Sequence, residues 1–342
     1  MKAAVIEKPG EFAVKEIPVP AITDHEVLIE VKASGICGTD IHIFRGEYLG
    51  TYPVIPGHEF SGVVTAVGAR VTRFKTGDHV AVEPNISCDN CAACLSNRQN
   101  FCEKWNGVGV TLPGGMAQFV AVPEKAAFDI GTLPFRAGAF VEPLSCVLHG
   151  VQRTGFSLAD KVLILGAGPI GILLLKTILL EGASAITSVD KNEARLELAR
   201  VSGAASVASS FEGLPEDGFD VVVDATGVPA VMEKTLGFVR SGGRILLFGV
   251  PPRTSKVAFD AFTVFRKGLT ILSSYTSVRN SIQAVRLLAS GKIDVSSLVS
   301  HEVPLSGFRR GIELIEQGKE GALKVLIRPE LDEGKPARRN HG

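Results

Sequence analysis

Two rhythms divide the chain. From Met1 to about Val122, apolar and polar positions alternate over short stretches broken by glycine and proline, as in Lys2–Ile6, Glu26–Val31 (EVLIEV), Gly62–Val67 (GVVTAV) and Asp78–Val82 (DHVAV). A period of two marks half-buried strands, so this part is expected to be all-β and rich in loops. From Lys161 the pattern changes to uninterrupted apolar runs, Val162–Leu165, Ala185–Val189, Ser206–Ala208, Val221–Val223, Ile245–Phe248 and Leu269–Leu272, separated by segments of helix length. Strands without polar alternation are buried on both faces, and a series of them between helices predicts a doubly wound α/β domain with a parallel sheet. After Ser290, strand-like pieces return at Leu298–Val303 and Ala322–Ile327, around a helix near Phe308–Gln317. The stretch Pro329–Gly342 has few apolar residues and is expected to fray.

Composition narrows the function. At 342 residues the chain is long enough for two domains of about 150 residues each, with a core that needs no covalent staples. Lys plus Arg equals Asp plus Glu at 36 each, which removes the basic field on which nucleic-acid or anionic-membrane binding rests. The most apolar region, Val162–Leu180, is broken by Gly166, Gly168, Pro169, Gly171 and Lys176, so it reads as strand, turn and helix rather than a membrane span. No N-terminal stretch has the form of a secretory leader, and six cysteines in such a chain favour thiol or metal chemistry over disulfides. A cytoplasmic location follows as the expectation.

The candidate chemistry lies in three places. Gly166-Ala-Gly168-Pro169-Ile170-Gly171 follows an apolar strand and opens an apolar helix, the context in which a glycine-rich turn cradles a dinucleotide. Gly166 permits the tight turn, Gly168 lets the backbone approach a pyrophosphate, Gly171 lets helix and strand pack, and the helix N-terminus offers free N–H groups to the phosphates. Asp190 ends the second strand, where a carboxylate accepts hydrogen bonds from the ribose 2′-hydroxyl and repels a 2′-phosphate, favouring NAD over NADP; it could equally cap the helix that starts at Lys191. Second, Cys88, Cys91, Cys94 and Cys102 sit in one polar, loop-forming stretch and suit a closed tetrahedral zinc site that contributes folding energy. Third, Cys37, His58, Glu59 and Glu142 each lie on a glycine- or proline-bounded loop, where side chains from separate segments can converge; spacing alone does not decide between ligands and core or cap residues.

The combination of Cys37-Gly-Thr-Asp40 with His42, Gly57-His-Glu59, the four-cysteine stretch, Glu142-Pro-Leu144 and the glycine turn resembles the zinc-dependent medium-chain alcohol dehydrogenases, and within them the polyol (sorbitol-type) dehydrogenases. The resemblance covers the chain to about Arg328. It implies a GroES-like catalytic domain at residues 1–146, with a structural zinc lobe at about 85–105. A Rossmann NAD-binding domain at 147–285 would be inserted, and the chain would return to the catalytic domain at 286–342. It further implies two zinc ions per chain. Cys37, His58 and Glu59 would hold the catalytic one, with Glu142 ligating directly or through water, and Asp40 would orient His58. Thr39 would contact the substrate oxygen and pass its proton, through the nicotinamide ribose, to His42; on its residue type alone His42 could be a plain surface histidine. The expected reaction is hydride transfer from a secondary alcohol of a polyol to NAD, giving a ketose, by a homo-oligomer, dimer or tetramer. Where sorbitol-type members carry an arginine after the sixth strand, this chain reads Ser273-Ser-Tyr-Thr276. The cysteine and histidine motifs also resemble those of L-threonine 3-dehydrogenases, and a non-catalytic NAD-binding protein of the same fold is the alternative from another class.

Overall fold

A computed structural model describes residues 1–47, 50–331 and 338–339. The chain falls into two compact units, one formed by residues 1–145 with 277 onward, the other by Cys146–Thr276. The outgoing crossing lies inside the helix Val141–Thr154, and the return comes at Ser277, ahead of residue 286 where the sequence reading places it. The cause is local. The hydroxyls of Ser277 and Ser281 each donate to Glu83 Oε2 at 2.7 Å, which binds the returning chain and the helix Ser281–Ala289 to the first unit. The Ser145 hydroxyl, at the outgoing crossing, lies 3.4 Å from the same oxygen, so one carboxylate serves both crossings.

The unit Cys146–Thr276 holds a parallel sheet in the spatial order Ser206–Ala208, Ala185–Val189, Lys161–Leu165, Phe219–Asp224, Val239–Leu247, Thr270–Ser273. The six apolar runs are therefore all strands. The fifth begins earlier than its apolar run: Val239 pairs with Phe219, and after an irregularity at residues 240–243 the ladder resumes at Arg244 opposite Val221. Leu163, Ile164, Val222 and Ile245 are fully buried, as strands covered on both faces require, and each such side chain contributes about 1.5–3 kcal/mol. From Lys161–Leu165 the chain works outward to one edge and then resumes on the other side of that strand at Phe219–Asp224. A crevice at the carboxyl ends of the strands beside such a reversal is where open α/β sheets take their ligands.

In the first unit, among the described residues, the main sheet runs in the order Arg338–Arg339, Val299–Val303, Lys324–Ile327, Glu26–Gly35, Glu59–Val67, His79–Val82, Ala127–Asp129, with Phe119–Pro123 also paired to Glu26–Gly35. Val27, Ile29 and Val31 are buried while the residues between them are half-exposed, as the period of two demands. One core gathers Ile36, Ile43, Met116, Phe308 and Val325; another gathers Ile29, Phe60, Val64 and Val80. A short antiparallel pair, Asn85–Ile86 with Asn106–Gly107, carries the four-cysteine stretch between its strands. The fraying expected from Pro329 falls mostly on residues outside those described; Arg338 and Arg339, which are described, pair antiparallel with Glu302 and His301. Among the described residues no helix is long and apolar enough to cross a membrane.

Candidate active site

Strand pairing builds the dispersed site. Gly35 and Glu59 face each other across antiparallel strands, so Cys37, two residues beyond Gly35, and His58, one residue before Glu59, leave the sheet at the same end. On the other side of Glu26–Gly35, Leu326 pairs with Gly35 and brings in the strand that carries Lys324. Glycine at 35 leaves room for the carboxylate, because a Cβ there would displace Glu59 Oε2. The result is a group in which one donor atom each from Cys37, His58 and Glu59 lie within 4.8 Å of one another. Cys37 occupies the N-cap of the helix Gly38–Arg45.

Asp40 holds this arrangement from behind. It has no exposed surface; its Oδ2 accepts from the Cys37 backbone N–H at 2.8 Å and its Oδ1 from the Gly57 N–H at 3.1 Å. The same Oδ1 lies 3.4 Å from His58 Nδ1, which leaves Nε2 as the nitrogen available to a metal. Burial alone would press the His58 pKa down, but the Asp40 carboxylate and the Cys37 thiolate outweigh it and raise it well above the ordinary value. Glu59 is bound through both oxygens, at 2.6 and 2.9 Å, by the buried ammonium of Lys324, which also donates to the Ile36 carbonyl at 3.3 Å. Burial works against the charge on Lys324, yet Glu59 and Cys37 raise its pKa. A half-buried sulfur with a buried imidazole and carboxylate at one meeting point suits a divalent ion such as zinc.

Glu142 stands apart from that close donor set. It is buried at the start of the helix Val141–Thr154, and its charge is felt at Lys324. Thr39 is half-buried in the first turn of the helix Gly38–Arg45, and His42, on the same helix, is paired through Nδ1 with Glu47 Oε2 at 2.8 Å. Lys324 and Glu47 are functional candidates that the sequence reading passed over. A lysine inside the apolar strand run Leu323-Lys-Val-Leu-Ile327 was a signal of a buried charge.

Cys88, Cys91, Cys94 and Cys102 form the second cluster. Their sulfurs lie 3.5 Å (Cys91–Cys94), 4.0 Å (Cys88–Cys94) and 4.0 Å (Cys91–Cys102) apart. Zn–S bonds of about 2.3 Å in a tetrahedron place sulfurs roughly 3.8 Å apart, so the set fits a closed zinc site. Backbone N–H groups already point at the sulfurs: those of Cys88 and Lys104 lie 3.3 Å from Cys102 Sγ, and those of Cys94 and Glu103 lower the Cys91 thiol to about 6.

In the other unit, Gly166 has φ +102°, a left-handed turn, and a Cβ on Gly171 would collide with the Gly166 carbonyl oxygen. Gly168 is the N-cap of the helix Pro169–Leu180, and the nearest atom to a Cβ there is Arg195 Nη1 at 4.0 Å, so the turn presents open backbone above a twelve-residue helix, as a pyrophosphate requires. Ile170, at the second helical position, is half-buried. Asp190 accepts from the Ala167 N–H at 2.8 Å and the Asn192 N–H at 2.9 Å. It does not cap the next helix: Glu193–Val201 is capped by Asn192, whose side chain accepts from the Arg195 N–H. Asp190 is thus turned to the glycine loop.

Comparisons with known proteins point to one family. Residues 23–132 match the model of the alcohol dehydrogenase GroES-like domain, and residues 169–290 that of the zinc-binding dehydrogenases. A D-altritol 5-dehydrogenase of Agrobacterium fabrum is 38% identical over 90% of this chain and 93% of its own length. An L-threonine 3-dehydrogenase of Bacillus velezensis is 33% identical over 95% and 98%. A Sinorhizobium meliloti 1021 protein, assigned as a zinc-binding dehydrogenase and solved with NADP, superposes with a TM-score of 0.90 at 33% identity, over 96% of this chain and 99% of its own. With both family models matched in chain order and relatives spanning nine-tenths of it or more, the chain belongs to the zinc-binding medium-chain alcohol and polyol dehydrogenases, and is an NAD-binding zinc oxidoreductase.

Proposed function

We propose that the protein oxidises a secondary hydroxyl of a sugar alcohol to the ketose with NAD. The observation that carries this reading is the convergence of Cys37, His58 and Glu59 at the ends of paired strands. When bound, zinc supplies Lewis-acid polarisation of the substrate oxygen and NAD supplies the hydride acceptor. Cys37, His58 and Glu59 would hold the metal, Glu142 would reach it directly or through water, and Asp40 keeps the His58 ring oriented. Thr39 would hold the substrate hydroxyl and hand its proton on towards His42. Cys88, Cys91, Cys94 and Cys102 would hold a second zinc that stabilises the fold.

The turn Gly166–Gly171 would take the pyrophosphate and Asp190 the adenosine ribose, favouring NAD. Arg195 Nη1, 4.0 Å from Asp190 Oδ2, offsets part of that carboxylate's repulsion of a 2′-phosphate, so the preference is finite. The polyol class is supported by the altritol dehydrogenase relative and by Glu142-Pro-Leu144; the threonine dehydrogenase relative supports a second reading, L-threonine as substrate. We place the enzyme in the cytosol, where its six cysteines would stay reduced, as a dimer or tetramer. The test is NADH absorbance over pentitols, hexitols and L-threonine with zinc-replete protein, each repeated with NADP. Polyol turnover with NAD is the expected result; turnover of threonine alone would replace the polyol reading.

A further inference from the structure

The pair formed by His42 and Glu47 is built by the backbone. Gly46 follows the helix Gly38–Arg45 in the left-handed conformation, φ 75°, and turns the chain back over the last helical turn. The Glu47 N–H then donates to the His42 carbonyl at 2.8 Å, while the Glu47 carboxylate meets His42 Nδ1 at 2.8 Å. A carboxylate is an acceptor only, so the ring nitrogen facing it must carry the proton. In the neutral ring this fixes the Nδ1–H tautomer and leaves the Nε2 lone pair as the base.

The other charged groups around this helix are engaged elsewhere. Asp40 is buried against Cys37, Gly57 and His58; Arg45 pairs with Glu316 at 2.5 Å; Arg309 lies over the Phe44 ring and donates to the Gly10 carbonyl. His42 has its ion pair with Glu47.

We propose that Glu47 is a positioning residue for proton release, holding His42 so that Nε2 receives the proton that the alcohol loses. The proposal rests on the reading of His42 as the end of the relay. Oxidation moves a hydride, with its electron pair, from the alcohol carbon to NAD and one proton from the hydroxyl to His42 Nε2. The imidazolium keeps its Nδ1–H bond to Glu47 and gives the Nε2 proton to water. The bond from the ring to the Glu47 carboxylate strengthens while the ring is charged.

The experiment compares Glu47→Leu, Glu47→Gln and His42→Ala with the parent, all zinc-loaded and saturated with NAD and the fastest substrate of the panel, in dilute buffer and with added imidazole. Glu47→Leu is expected to lower kcat about tenfold with both KM values nearly unchanged, and imidazole to restore most of it. Glu47→Gln, whose amide oxygen still accepts from Nδ1–H, should keep most of the parent rate. If His42→Ala is slow and rescued by imidazole while Glu47→Leu matches the parent, the positioning role is wrong and the relay stands. A Glu47→Leu defect that imidazole does not relieve also overturns it, since that defect would be structural. If His42→Ala itself turns over normally, the relay reading falls and the role of Glu47 with it.

Discussion

The two sulfur-bearing clusters of the first unit solve opposite problems. Cys88, Cys91, Cys94 and Cys102 come from one stretch, and their sulfurs sit at tetrahedral spacing with backbone N–H groups already aimed at them. Such a set is complete in itself. Cys37, His58 and Glu59 come from two strand ends, number three donors, and share their carboxylate with a buried ammonium from a third strand. A closed set of four suits folding, and a set of three with a contested carboxylate leaves room for a substrate oxygen. The comparison predicts that the same kind of substitution has different consequences in each place.

The largest separation is expected between Cys37→Ser and Cys88→Ser. Losing a ligand of the three-donor set should cut turnover by about three orders of magnitude or more, with the thermal midpoint little changed. Cys88→Ser should lower the midpoint by about 10 °C while each folded molecule keeps most of its activity. Thermal denaturation and kcat per folded molecule read both, and equal losses of activity would erase the distinction.

Next comes Glu59→Gln, which strands the Lys324 charge in a buried place and should cost about 3–5 kcal/mol in urea unfolding. Adding Lys324→Met should recover most of that stability without restoring turnover. Recovery of activity by the double variant would mean that Glu59 serves Lys324 rather than the metal. A smaller effect is expected from Asp40→Asn, which should weaken the catalytic zinc about 10–100-fold in a chelator competition and leave the four-cysteine zinc unchanged. Smallest is Asp190→Ala, which should narrow the ratio of kcat/KM for NAD over NADP several-fold, by about 1 kcal/mol; an unchanged ratio would leave Asp190 as a brace for the Ala167 N–H alone.

The same contrast decides what the sequence reveals. The four cysteines and the glycine turn are local, so spacing and the switch from a period of two to unbroken apolar runs suffice to find them, and the parallel strands follow from those runs. The contacts of Lys324 and Glu83 depend on which segments lie side by side, which no single segment encodes, and that of Glu47 depends on the left-handed turn at Gly46 just before it. Lys324 reaches Glu59 because Leu326 pairs with Gly35, and Ser277 and Ser281 donate to Glu83 where the chain rejoins the first unit. The cap reading of Asp190 falls because Asn192 is the cap.

Zinc content per chain, measured by mass spectrometry on Cys37→Ser beside the parent, bears most directly on the central claim that Cys37, His58 and Glu59 hold the reactive metal. The parent should carry two zinc ions and the variant one, with turnover lost and the fold intact. Two zinc ions retained by the variant, or a parent that carries only the ion of the four-cysteine cluster and still oxidises its substrate, would contradict it.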